Sequence, residues 1–138
     1  MPRRRPEALR AERWRPPKHV SVHRIRGVSA QTRVAVRRVE DDLQWAPDLV
    51  FRALAVCEWA LKHPGRYLDA TVWDSPGIGD ARDELDEIWQ RLPAGARKDL
   101  GRLIQRIDAE LERRTLPDPA PVSGWAVGRW WWQRIRER

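Results

Sequence analysis

The stretch DARDELDEIWQRLPAGARKDLGRLIQRIDAELERR, residues 80–114, decides the fold. Ala81, Leu85, Ile88, Trp89 and Leu92 recur at spacings of three and four, which puts them on one side of a helix. Pro93-Ala94-Gly95 breaks the pattern, and Ala96, Leu100, Leu103, Ile104, Ile107 and Leu111 then repeat it. Two helices with matched narrow stripes and a short joint form an antiparallel hairpin. The end chemistry agrees. Asp80 is placed to cap the first helix, whose acids crowd its start. Arg113 and Arg114 close the second, where the helix dipole favours cations.

N-terminal to the hairpin, Asp48 precedes LVFRALAVCEWALKH, a helix over 48–63 stopped by Pro64-Gly65. One stripe is Val50, Ala53, Leu54, Cys57 and Leu61. A second, on the opposite side, is Phe51, Ala55 and Trp59. A helix apolar on two sides is expected at the centre of a domain or shared with a partner, so this one should be the spine of the core. Residues 65–79 read as a loop with room for one helical turn around Tyr67 to Trp73. Residues 30–46 fit a helix capped by Ser29, with Thr32, Ala35, Val36, Val39, Leu43 and Ala46 inward. Residues 19–26 read as extended. Val20, Val22, Val34 and Val36 alternate with polar residues, so a short β-hairpin near 19–39 is the competing reading.

The expected fold is mainly α, a small helical bundle with an antiparallel helical hairpin at 80–114. The chain divides into a basic Arg/Pro-rich arm (1–26), a helical core domain (27–114), a Pro-rich linker (115–124) and a Trp/Arg-rich tail (125–138).

Charge is distributed unevenly. The 138 residues carry a net +7, but residues 1–39 hold 12 basic against two acidic side chains. Residues 40–121 hold 11 against 17, and residues 122–138 hold four against one. An acidic middle thus lies between two basic ends, which bears on partners and not on fold. Cys57 is the sole cysteine, so no internal disulfide can form. No apolar run approaches the roughly 18 residues of a membrane span, and no hydrophobic segment of a secretory signal follows the basic start. A cytoplasmic location is expected.

The arm residues Arg3, Arg4, Arg5, Arg10, Arg13, Arg15, Lys18, Arg24 and Arg26 suit phosphate neutralisation, and Trp14 suits stacking on an unpaired base. Arg33, Arg37 and Arg38, on the polar side of helix 30–46, extend the same positive surface. The tail sets Trp125, Arg129, Trp130, Trp131, Trp132 and Ile135 close together. Several exposed indoles are costly, so the tail should dock on its own acidic core, on a protein partner or homo-oligomer, or on nucleic acid; a membrane surface is the least favoured. The expected function is a non-enzymatic, nucleic-acid-associated accessory or regulatory protein, DNA or RNA, gripping phosphates through the arm. The competing expectation is a protein-interaction adaptor or inhibitor using the acidic hairpin and the Trp tail.

Chemistry-bearing motifs are weak. His19 and His23 stand four apart without further ligands, so no metal site is expected. Cys57 lies on an apolar stripe, Asp83, Glu84, Asp86 and Glu87 on an exposed helical side, and SPGIGD has no following lysine. No catalytic residue and no cofactor are expected.

Two local resemblances exist. LPAGARKDL, residues 92–100, resembles the LPxxxR opening of the last region of sigma factors, a helix-turn-helix, but the helix here runs on where that module turns again. RIDAELERRTLPDP, residues 106–119, with the Trp-rich basic end, is similar to small uncharacterised proteins of high-GC actinobacteria over roughly residues 85–134. That resemblance implies no activity.

Overall fold

The computed structural model describes residues 24–62, 77–119, 124 and 127–135, and of Ile135 the backbone alone. These residues form a small helical bundle: α1 (Ala30–Asp42), α2 (Leu49–Lys62), α3 (Ile78–Arg91) and α4 (Ala94–Arg113). A two-residue strand β1 (Leu116–Pro117), a 3-10 turn (Trp130–Gln133) and a strand β2 (Arg134–Ile135) complete it.

The hairpin of α3 and α4 forms, with a tighter joint than its sequence suggests. Pro93 is the N-cap of α4, and Ala94 and Gly95 already belong to that helix. Pro93 supplies fixed backbone and needs no donor there, so it starts the helix as well as ending the turn. At the other end α3 begins two residues before Asp80. Its carboxylate accepts from Gly77 N at 3.1 Å, which makes it a third-position acid reaching back and not the cap residue. Trp89 pins the pair: its Nε1 donates to the Arg97 carbonyl at 2.9 Å while the Arg97 guanidinium lies over the ring at 5.2 Å. Gly101 on α4 gives that indole room, because a Cβ there would stand 3.2 Å from Trp89 Nε1.

The core lies among the four helices. Val36, Val50, Cys57, Leu85, Leu100 and Leu111 are wholly buried in it. On α2 Val50, Ala53, Leu54 and Cys57 of the first stripe are buried, with Ala60 added, and Leu61 is half-buried; of the second, Phe51 is half-buried, Ala55 exposed, and Trp59 is 56% exposed. Among the described residues α3 and α4 pack on the side of α2 that carries Val50, Ala53 and Cys57, and the side of Ala55 and Trp59 stays exposed, so α2 serves as a wall of the core more than as its spine.

Helix α1 settles the ambiguity at its start. Val34 and Val36 are helical, so they take no part in a β-hairpin; residues 19–23 lie outside the described residues. Ser29 caps as expected, its hydroxyl accepting from Thr32 N at 3.1 Å. Asp99 of α4 ties the cap down by accepting from Ser29 N and Thr32 Oγ1 at 2.8 and 2.7 Å. The helix stops at Asp42 because the chain turns sharply: Gln44 and Asp48 both take positive φ, 57° and 64°. Across this corner the buried Glu40 accepts from Leu49 N at 2.9 Å, so α1 supplies an acceptor for an orphan donor of α2. Ala46 and Leu43, expected on the α1 stripe, lie beyond its end.

Candidate nucleic-acid interface

A groove of about 960 Å³ runs between α2, α4 and the segment Arg24–Gly27. Gly27, at φ 84°, carries that segment close over α4; a Cβ there would meet Leu103 Cδ2 at 3.2 Å. Ile25 enters the core beside it, so the helical domain begins before residue 27 and the last part of the arm is anchored. The groove floor is apolar, formed by Ile25, Leu54, Leu103 and Ile107 with Phe51 at one side. Its rim is cationic: Arg24, Arg26, Arg33, Lys62 and Arg106. Two acids share the lining, Glu58 and Glu110. Glu110 is matched by Arg113 Nη2 at 2.7 Å, and that hydrogen bond holds its carboxyl below the usual carboxylate range. Arg33 is positioned by donating to the Val28 carbonyl at 2.9 Å. Like charges around a hollow raise the local concentration of anions.

Of the residues the sequence singles out, the groove thus gathers Arg24, Arg26 and Arg33. Arg37 and Arg38 sit on α1 outside the lining, half-buried and exposed respectively. Arg3, Arg4, Arg5, Arg10, Arg13, Trp14, Arg15 and Lys18 lie outside the described residues, as do His19 and His23. Among the described residues no cluster of His, Cys, Asp or Glu could hold a metal ion, and no helix is long and apolar enough to cross a membrane.

The tail takes the first of its three surfaces, the chain's own acidic helix. Trp131 is 2% exposed and donates from Nε1 to Asp83 Oδ1 at 2.8 Å. Trp132 donates to the same oxygen at 2.9 Å, and Arg129 stands 3.5 Å from the other. Asp83 is therefore the hub of the tail and not a merely solvated acid. Trp130 meets Trp131 edge-on, with ring centroids 6.1 Å apart. The Arg82 guanidinium lies 4.2 Å from the Trp131 ring centroid and reaches Asp108 of α4 with two bonds, at 2.8 and 3.0 Å. Trp132 lies against Gly79, where any side chain would strike its ring.

Beyond the indoles, β1 and β2 pair antiparallel, Leu116 opposite Ile135 and Pro117 opposite Arg134. Arg134 closes the C-terminus of α4. It donates to Thr115 Oγ1 at 2.8 Å, to the Glu112 carbonyl at 3.0 Å and to the Thr115 carbonyl at 2.9 Å. Part of the Pro-rich stretch is thus a strand partner of the tail. Trp125 and the Ile135 side chain lie outside the described residues.

No family model, no curated protein and no solved structure matches the chain.

Sequence patterns missed Lys62 and Arg106 at the groove, and Gly79, Arg82 and Asp108 at the tail. Arg106 does follow Leu103 by three on α4 and precedes Glu110 by four, so it shares a side with both; an isolated helix gives no reason to prefer that side. Arg82, flanked by Ala81 and three residues before Leu85, sits at the edge of the apolar stripe, which is the one signal that it would be buried.

Proposed function

We propose that this protein is a non-enzymatic, cytoplasmic accessory or regulatory protein that binds nucleic acid. The observation that carries the reading is the groove: five cationic side chains from four separate parts of the chain converge on one hollow that holds two acids, one of them already matched. In an otherwise acidic middle of the sequence, Lys62 and Arg106 join the N-terminal arginines around the groove. The remaining arm cations, Arg3 to Lys18, precede Arg24 directly and would add phosphate contacts of the same kind. The adaptor reading keeps the acidic hairpin but loses Trp131 and Trp132, whose indole N–H groups are spent on Asp83.

Retention on immobilised heparin and on DNA tests this. The full chain should be retained at about 50 mM salt and released steeply as salt rises toward about 200 mM. Removing residues 1–18, which leaves Ile25 in the core, should lower the eluting salt without abolishing retention. Flow-through of the full chain at low salt, with no nucleic acid co-purifying, would end the proposal.

A further inference from the structure

We infer that the groove between α2 and α4 takes an unpaired polynucleotide strand, with bases on the apolar floor and phosphates on the cationic rim. The inference rests on the nucleic-acid reading above and names its substrate class.

The two tiers of the groove separate strand from duplex. A duplex hides its base faces in the stack and presents a convex row of phosphates. Proteins read it by inserting a projecting helix or ribbon into the major groove. Here the cations ring a hollow, and its floor is hydrocarbon: Ile25, Leu54, Leu103 and Ile107. A duplex laid over it would touch the rim and leave that floor covered but unfilled. An unpaired base can turn inward, bury its faces on the floor and keep its phosphate outside, and each exposed guanidinium plane offers a further stacking surface. At about 960 Å³ the hollow matches the upper end of sites that enclose drug-sized molecules, so more than one base fits. Arg24 and Arg106 both line the groove and are exposed, one from the segment before α1 and one from α4, so both guanidinium groups are open to the phosphates of a strand lying in it.

The test uses the full chain and fluorescence anisotropy with a labelled single strand of roughly 16 nucleotides and with the same sequence as a duplex. The strand should bind at least about tenfold more tightly than the duplex. Each phosphate contact to a single strand contributes about 0.7 to the slope of log affinity against log salt. Arg24→Gln/Arg106→Gln should therefore lower that slope by about 1.4, a loss of about 25-fold at 0.1 M salt relative to 1 M. Arg91→Gln/Lys98→Gln removes the same charge away from the groove and should cost less than about threefold, since long-range charge is screened at that salt. Equal binding of strand and duplex overturns the inference and leaves the nucleic-acid reading standing. So does an equal loss in the two double variants, which would mean diffuse charge attraction. Displacement of the strand by polyglutamate as readily as by unlabelled strand overturns it too, because the floor would then not be reading bases. Absence of binding to either nucleic acid at low salt brings down both.

Discussion

Replacing Gly79 by alanine should destabilise the protein, against the ordinary rule for a helix. Glycine inside a helix costs up to about 1 kcal/mol relative to alanine, so the change would normally be a gain. Here the added methyl would stand 2.6 Å from Cζ2 and Cζ3 of Trp132 and closer still to Cη2. Ordinary contact begins at 3.4 Å, so the indole must retreat by roughly 1 Å. Trp132 Nε1 is 2.9 Å from Asp83 Oδ1, and a retreat of that size breaks this bond. Losing a hydrogen bond to a charged acceptor at a half-open site costs about 1.5 kcal/mol, and the residual overlap about 1–2 kcal/mol. Against the helix gain, the net loss is about 2 kcal/mol, or about 8 °C in Tm for a chain of this length. Thermal unfolding by circular dichroism measures it. The decisive control repeats the change in a Trp132→Ala background, where the methyl has space and should now stabilise. A stabilising effect in both backgrounds would mean that the ring does not rest on Gly79.

Asp83→Ala removes the acceptor shared by two indoles and should cost about 2–3 kcal/mol in urea unfolding, while Asp83→Asn, which retains an oxygen, should cost about 1 kcal/mol; a loss under about 0.5 kcal/mol for the alanine would dismiss the tail as a lock. Burial holds the Glu40 carboxyl above its ordinary value, so the folded chain binds that proton more tightly than the unfolded one. Its contribution is therefore fullest below the usual carboxylate range and is lost as pH rises through the raised value. Glu40→Gln keeps an oxygen for Leu49 N and should flatten the stability profile from pH about 4 to about 8; an unchanged profile would contradict this. Burial also pushes the Cys57 thiol up to about 12, so the native chain should resist thiol reagents at pH about 8 and react once denatured. Prompt stoichiometric reaction of the native protein would place Cys57 outside the core.

The helical hairpin was legible because its signal is local: two stripes of period 3.6, a proline between them, and charges sorted to the ends. The Ser29 cap was legible for the same reason. What escaped was what depends on neighbours far along the chain. Both sides of α2 are apolar in sequence, and the placement of α3 and α4 decides that Cys57 is enclosed and Trp59 is 56% exposed. The groove is likewise a product of packing, since Arg24, Lys62 and Arg106 come from three elements with no common motif. The tail posed a clear problem, three adjacent indoles between arginines, and the acidic charge of α3 suggested an answer. The specific seat did not follow, because Gly79 looks like a turn residue and Arg82 like a surface cation until Trp132 is placed against the first and Trp131 against the second.

The corner between α1 and α2 bends twice through left-handed backbone at Gln44 and Asp48, and neither residue is glycine. Each such turn costs on the order of 1 kcal/mol, somewhat less for an aspartate than for a glutamine. A protein of ordinary stability carries only about 5–15 kcal/mol in all, so one short bend holds a sizeable unused reserve. Glycine at position 44 is the simplest route for an engineer, or for selection at a higher growth temperature, to draw on it without touching either the groove or the tail.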